Sequence, residues 1–273
     1  MEEFSVSMCV YGGDHPEWFR TAVDSILNQT IKSTEVVLVV DGHVPENLDK
    51  VIKSYEKVPS FRIIRLEKNV GHGEARRIGL KACSYDLVAL MDADDISVPE
   101  RFEKQLEAFS NDPNLAIIGG EISEFVGTPD NIVGVRAVYE TDEQIKRDMQ
   151  KRCPLNQVTV MFRKSAVDAV GGYIDWYCEE DYYLWLRLHL AGAEFANIPD
   201  SLVNVRVGKE MYQRRGGMKY FISEAKLQKW MLKQKVINLP TYVANVGKRL
   251  VVQVLLPNRL RGWVFQKFAR KSV

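Results

Sequence analysis

The segment Glu35–Val40 is apolar at every position after its first and stops at Asp41-Gly42. A run so short and so uniformly apolar reads as a strand buried on both faces, as in the centre of a sheet with helices above and below. Leu87–Met91 repeats the pattern and runs straight into Asp92-Ala93-Asp94-Asp95. Around these runs, strand and helix signals alternate over the first hundred residues, as a parallel, doubly wound sheet requires. Phe4–Tyr11 reads as the first strand and Phe61–Leu66 as the third. Asp14 is placed to cap a helix carrying Trp18, Phe19, Ala22, Val23, Ile26 and Leu27 on one face. Leu48, Val51, Ile52 and Tyr55 mark a second helix and Gly73–Cys83 a third.

Beyond Pro99 the alternation loosens. The sequence predicts a helix over Arg101–Ser110, short strands at Ala116–Ile118 and Val133–Val138, and a charged helix over Thr141–Lys151. Val158–Phe162 reads as a late strand and Tyr182–Ala191 as an amphipathic helix. From Met211 onward the pattern is helical, broken near Pro240 and Pro257. The expected division is an α/β domain over residues 1–210 and a basic helical region over 211–273. No run of about 18 apolar residues occurs, so no membrane span is expected. The N-terminus is acidic where a signal peptide would be basic.

Ligands of open α/β sheets bind outside the carboxyl ends of the strands. Three polar clusters fall at such ends: Asp41-Gly42, Asn69-Val70-Gly71 and Asp92-Ala93-Asp94-Asp95. Three carboxylates directly after an apolar strand repel one another, and a hard divalent cation bridging to substrate phosphates would relieve this. The other reading is a solvated turn followed by a helix N-cap from Asp95 or Ser97. Gly71-His72-Gly73 with Arg76 lacks the third glycine of a dinucleotide fingerprint and does not follow the first strand. The histidines His15, His43, His72 and His189 have no ligand spacing, so no zinc site is expected.

In order along the chain stand Ser5–Tyr11, Ser25-Ile26-Leu27-Asn28-Gln29-Thr30, Val39-Val40-Asp41-Gly42, Asn69–Arg76, Met91–Asp95 and Glu179–Arg187. This ordered set, over roughly residues 4–215, resembles glycosyltransferase family 2, the inverting nucleotide-sugar transferases of the GT-A fold. It is most similar to bacterial members that build capsule, O-antigen or lipooligosaccharide chains. The resemblance implies a mixed, mainly parallel sheet between helices and a UDP-sugar donor. It implies that Asp41 accepts the uracil N3–H, that Val10, Tyr11 and Gly12 lie along base and ribose, and that Asn69 and Arg76 lie near the nucleotide. Asp92-Ala93-Asp94 matches the family's DXD motif, with Asp92 toward ribose or donor sugar and Asp94 holding Mn²⁺ or Mg²⁺ on the diphosphate. One departure is Tyr11-Gly12-Gly13-Asp14, where the family often has Asn or an Asp-rich stretch.

Inverting transfer needs a base for the acceptor hydroxyl. The resemblance gives that role to the pair Glu180-Asp181, with Asp181 expected as the base and Glu180 in reserve. The alternative is that both acids merely stabilise a helix N-terminus. Arg214, in Arg214-Arg215-Gly216-Gly217, is placed to close over the diphosphate or to sit in an exposed turn. Two rival activities stay open: a nucleotidyltransferase that makes a nucleotide sugar, and a catalytically silent sugar-nucleotide-binding subunit.

The net charge of +1 hides an asymmetry. After Glu224, the last acid, 49 residues carry 11 Lys or Arg, whereas the preceding chain holds 26 basic against 36 acidic residues. Val246, Leu250, Val251, Val254, Leu255, Trp263, Val264, Phe265 and Phe268 supply apolar faces within this tail. A basic amphipathic segment with aromatics suits an anionic membrane surface. Helices packed on the domain, or a nucleic-acid patch, are the other readings; no nucleic-acid partner is expected. Four scattered cysteines without a CxxC pair fit reduced thiols in the cytoplasm. The expected place is therefore peripheral, on the inner face of the cell membrane, with a lipid-linked glycan as acceptor.

Overall fold

The computed structural model describes residues 2–208 and 216–257. Four apolar segments of the first ninety residues form parallel strands: β1 (Phe4–Tyr11), β2 (Glu35–Asp41), β3 (Phe61–Arg65) and β4 (Leu87–Met91), in the order β3-β2-β1-β4. Between them run α1 (Pro16–Leu27), α2 (Glu46–Ser54) and α3 (His72–Ala82). Alternate strand residues face opposite sides. Met8, Leu38 and Ala89 join α1 and α2 in one core, whereas Val37, Val88 and Leu90 join α3 in the other. Burial on both faces is why β2 after Glu35 and β4 are apolar without alternation, whereas β1 carries Ser5 and Ser7 and the edge strand β3 carries Arg62 and Arg65.

The chain then continues through β5 (Ile96–Ser97), α4 (Arg101–Asn111), β6 (Leu115–Phe125), β7 (Ile132–Arg136), α5 (Asp142–Asp148) and a 3-10 turn at Gln157–Thr159. β8 (Met161–Arg163), α6 (Lys164–Ala169), α7 (Glu180–Leu190) and β9 (Glu194–Arg206) follow. β8 inserts antiparallel between β4 and β6, which makes the sheet mixed. β9 pairs parallel to β6, β5 closes the edge beyond it, and β7 pairs with β6.

Several expectations change. The strand foreseen at Ala116–Ile118 extends through Gly119 and Gly120 to Phe125. Val158–Phe162 splits into the 3-10 turn and β8. β9 had no sequence expectation at all. Asp14 is not the cap of α1: His15 occupies that position, and the Asp14 carboxylate accepts the Tyr11 N–H at 2.9 Å.

Two further helices, α8 (Met218–Lys233) and α9 (Leu239–Arg249), are followed by a π turn at Leu250–Leu255. Leu227 and Met231 of α8 are buried in the same core as Tyr182, Trp185 and Phe162. Pro240 is the second residue of α9, where a missing N–H costs nothing, and the Asn238 side chain caps the helix by accepting from Thr241 N. α9 lies on the turn after α5: Asn245 Nδ2 donates to Gln150 O at 2.8 Å and Arg249 Nη2 to Lys151 O at 3.1 Å. Residues 216–257 thus share hydrogen bonds and core with the sheet domain.

Candidate active site

Strand order places the site. The chain winds outward from β1 to β2 and β3, then crosses back to β4 on the other side of β1. The crevice where winding reverses, at the carboxyl ends of β1 and β4, is where such sheets bind ligands. Tyr11 ends β1 and is half exposed, Asp41 ends β2, and Asp92 follows β4.

Asp41 is buried, and its two oxygens accept backbone N–H bonds from Val70 at 2.7 Å and Gly71 at 3.2 Å. It therefore ties the end of β2 to the loop ahead of α3, with Asn69 Nδ2 reaching the Asp41 carbonyl at 3.3 Å. Gly42, at φ +83°, makes this approach possible, since a Cβ there would stand 2.5 Å from Asn69 N. Gly12 is likewise held close to the His43 carbonyl, which a Cβ would meet at 2.8 Å. Val10 and Ala93 belong to the core, so only their backbones can face a ligand.

Arg76 joins the site's two halves. It projects from α3 and is 5% exposed; Nη2 donates to Asp92 at 2.7 Å and Nη1 to Asp181 at 3.1 Å. Burial opposes its charge, but Asp92 and Asp181 outweigh burial and hold the guanidinium more strongly protonated than usual. One side chain thus connects the DXD motif at a strand end with the acidic pair at the start of α7.

The two acids of that pair have opposite environments. Burial, reinforced by the charges of Glu180 and Asp92 and offset by Arg76, pushes the Asp181 carboxyl up to about 8. Glu180 is also burdened by burial, yet hydrogen bonding to His72, whose Nδ1 is 3.5 Å from Oε1, carries it below the usual carboxylate range. Neighbouring carboxyls driven apart in this way are fitted to different roles. Just before them, Cys178 has φ +58°, a left-handed conformation costly for a residue with a side chain.

The motif after β4 is crowded with negative charge. Burial, then the charges of Asp94 and Asp92, push Asp14 up to about 6 against its bond from Tyr11. Burial and the same two neighbours raise Asp95 well above the usual carboxylate range. Among the described residues no three acidic, histidine or cysteine side chains gather as a ready-made metal cage. Two carboxylates completed by phosphate oxygens and water are nevertheless a common Mg²⁺ arrangement, and Asp92 with Asp94 fit it.

Two arginines here escaped the sequence reading. Arg206, on β9, gives its N–H to Asp95 at 2.8 Å and its Nε to the Asp94 carbonyl at 3.3 Å. Its guanidinium also stacks over Trp18 and Phe125. Arg101, fully buried, anchors the end of β4 through Nη2 to Leu90 O at 2.8 Å and Nε to Gln105 at 3.1 Å. Arg101 stood in plain view as a charge on the inward face of α4, beside Phe102 and Gln105. Arg214 and the aromatics Trp263, Phe265 and Phe268 lie outside the described residues.

A cavity of about 600 Å³ opens on this cluster. Asp92, Asp95 and Asp181 line part of it, and Arg152, Lys248 and Gln253 another part.

A mixed sheet with Asp92-Ala93-Asp94 at its switch-point crevice and an acidic pair opening α7 has the architecture of the GT-A fold. The chain belongs to glycosyl transferase family 2, whose model matches residues 5–171. It is 39% identical, over 98% of its length and 100% of the relative's, to an uncharacterized glycosyltransferase of Haemophilus influenzae. It is 35% identical, over 98% of its length and 97% of the relative's, to the UDP-Gal:alpha-D-GlcNAc-diphosphoundecaprenol beta-1,3-galactosyltransferase of Escherichia coli. Among solved structures, S. aureus TarS 1–349 in complex with UDP-GlcNAc superposes with a TM-score of 0.69. That match has 16% identity and covers 97% of this chain and 79% of that one. Family membership favours a glycosyltransferase over the nucleotidyltransferase alternative.

Proposed function

We propose that the protein is an inverting glycosyltransferase that moves a hexose or N-acetylhexosamine from a UDP-sugar to a hydroxyl of a lipid-linked glycan in cell-surface polysaccharide synthesis. The observation carrying this reading is the Arg76 fork, which holds Asp181 beside the DXD residue Asp92. The UDP-Gal donor and diphosphoundecaprenol acceptor named for the E. coli relative support the choice of substrates.

In this reading Asp41 and the Asn69–Gly71 loop receive uracil, while Tyr11 and the backbone of Val10 and Gly12 flank base and ribose. Arg214 closes over the diphosphate. Asp181 takes the proton of the acceptor hydroxyl while that oxygen attacks the anomeric carbon from the face opposite UDP. The bond from the anomeric carbon to the β-phosphate oxygen breaks, and its electron pair leaves with UDP. Arg76 keeps Asp181 in place and balances its charge. With Mn²⁺ or Mg²⁺ held by Asp94 and Asp92, Lewis-acid stabilisation of the departing diphosphate becomes available.

A panel of UDP-sugars with Mn²⁺, scored by thermal stabilisation and UDP release, tests the reading directly. At least one sugar should register, and binding to none would end it. Excess EDTA should remove donor binding and turnover, and Asp94→Ala should lose both. Full activity in EDTA would exclude the metal.

We also propose that the basic tail holds the enzyme at the inner membrane face. The body's net −10 repels an anionic leaflet, and each Lys or Arg that nears the surface contributes about 1 kcal/mol. A cut near Pro240 would strip Asn245 from Gln228 and Arg249 from Glu224, and so disturb the fold. The informative cut lies after Pro257. The full chain should sediment with phosphatidylglycerol vesicles at low salt and release at high salt. Residues 1–257 should melt normally, bind UDP and sediment less. Equal sedimentation of the two would take the role away from the tail's end.

A further inference from the structure

The cavity that holds Asp181 also has a basic mouth that the transfer chemistry does not use. Arg152 and Lys248 line it from two elements, the turn after α5 and the last turn of α9. The two elements are fastened together by the bonds from Asn245 to Gln150 O and from Arg249 to Lys151 O. Lys151, Arg152, Lys248 and Arg249 therefore gather at one junction, with Asp148 at 2.7 Å from Arg152 and Glu224 at 3.0 Å from Arg249 as local counter-charges. Arg249 is committed to its structural bonds. Lys248 is exposed, and the Arg152 side chain is 42% exposed.

The same helix carries an apolar stripe. Leu239 and Val243, four residues apart, lie on one side of α9, and Leu250, Val251 and Leu255 belong to the π turn that follows. All five are more than a third exposed, whereas the polar Asn245 and Gln253 point inward. This inverts the usual arrangement of a surface helix, which turns its polar side to water. Val251 stands three residues after Lys248 and so neighbours it on the helix surface. A cationic mouth beside an exposed apolar face is complementary to a molecule with an anionic head and a hydrocarbon chain.

We propose that this mouth binds the phosphate groups of a lipid-linked acceptor. Arg152 and Lys248 pair with the phosphate oxygens, and Val251 and Leu255 meet the first part of the hydrocarbon chain. The acceptor sugar then extends along the cavity to Asp181. This rests on the transferase reading above and identifies the acceptor side of the same site.

The test uses the full chain saturated with UDP and Mn²⁺, so that the donor's diphosphate site is filled, and three probes: decyl diphosphate, inorganic pyrophosphate and decanol. Decyl diphosphate should bind more tightly than either fragment. Arg152→Ala and Lys248→Glu should each weaken it about tenfold or more, as loss of a charge-assisted contact implies. Val251→Ser should weaken decyl diphosphate but not pyrophosphate. UDP affinity should stay unchanged in all three variants. Equal affinity of the wild type and both charge variants for decyl diphosphate would overturn the proposal. So would binding of decyl diphosphate to the UDP-free chain that saturation with UDP abolishes. A wild-type chain that fails to bind UDP would instead strike the transferase reading, and the probe affinities would still decide this one.

Discussion

Asp181→Asn is expected to cut sugar transfer by roughly 10²–10⁴ while leaving UDP-sugar affinity almost unchanged. The amide keeps the size of the carboxylate and an oxygen that can accept from Arg76, so the fork 3.1 Å away need not collapse. It loses only the ability to take a proton. The pH profile separates this from a structural role. Burial, offset by Arg76, raises the Asp181 carboxyl to about 8, and a base works only when unprotonated. For the wild type, kcat/KM should climb about tenfold per pH unit below that value and level off above it. The residual rate of Asp181→Asn should lack this slope. Glu180, held below the usual range by His72, is ionised throughout and cannot produce it. An active Asp181→Asn beside a dead Glu180→Gln would move the base by one residue.

The legible parts of the fold were those where both faces of a strand are buried. Leu87–Met91 has the boundaries its composition implies, and β2 differs by one residue. Legibility failed where a long-range contact overrides a local signal. Gly119-Gly120 reads as a break, yet β6 runs through it. A Cβ at Gly119 would stand 2.6 Å from Asn197 Oδ1, and one at Gly120 2.6 Å from Leu202 Cδ1, so the glycines allow β9 to approach. Pro199-Asp200 interrupts β9 in the same way, since proline has no N–H to give to the ladder. The pairing jumps from Gly120–Ile198 to Glu121–Ser201, so both residues are looped out as a bulge and the strand resumes. No local pattern contains that information, because it depends on which strand lies alongside.

The site divides in the same way. Asp41, Asp92, Asp94 and Asp181 could be singled out because each follows a strand or opens a helix within an ordered set of motifs. What each touches could not. Asp41 spends bonding capacity on the Val70 and Gly71 amides, and Asp14 joins the acidic cluster rather than capping α1. Arg206 sits on the strand that the sequence hid, so its hold on the Asp94-Asp95 turn was hidden with it.

Arg76→Met should destabilise the fold by about 3–5 kcal/mol near neutral pH, because it removes the buried cation that hydrogen-bonds both Asp92 and Asp181 and leaves Asp92 without its ion-pair partner. The lower part of that range is expected, since the Asp92 side chain is 34% exposed and keeps some solvent screening. The effect has a pH signature with a definite sign. An unfolded aspartate releases its proton near 3.8, whereas Asp181 in the folded chain holds it up to about 8. Between those values the folded state binds more protons, so stability falls as pH rises. Arg76 is the group that lowers the Asp181 value, so its removal carries the window upward and deepens the loss. Urea denaturation at pH 5 and pH 8.5 should therefore show a gap between wild type and Arg76→Met that widens with pH. Arg76→Lys should not restore the wild-type curve, since an ammonium on a flexible stem cannot fork to both acids as the planar guanidinium does. Adding Asp181→Asn to Arg76→Met should recover part of the loss at pH 8.5, because the amide has no proton to release on unfolding. A gap equal at both pH values would mean that Arg76 acts through packing alone, and that the two halves of the site are not held together by its charge.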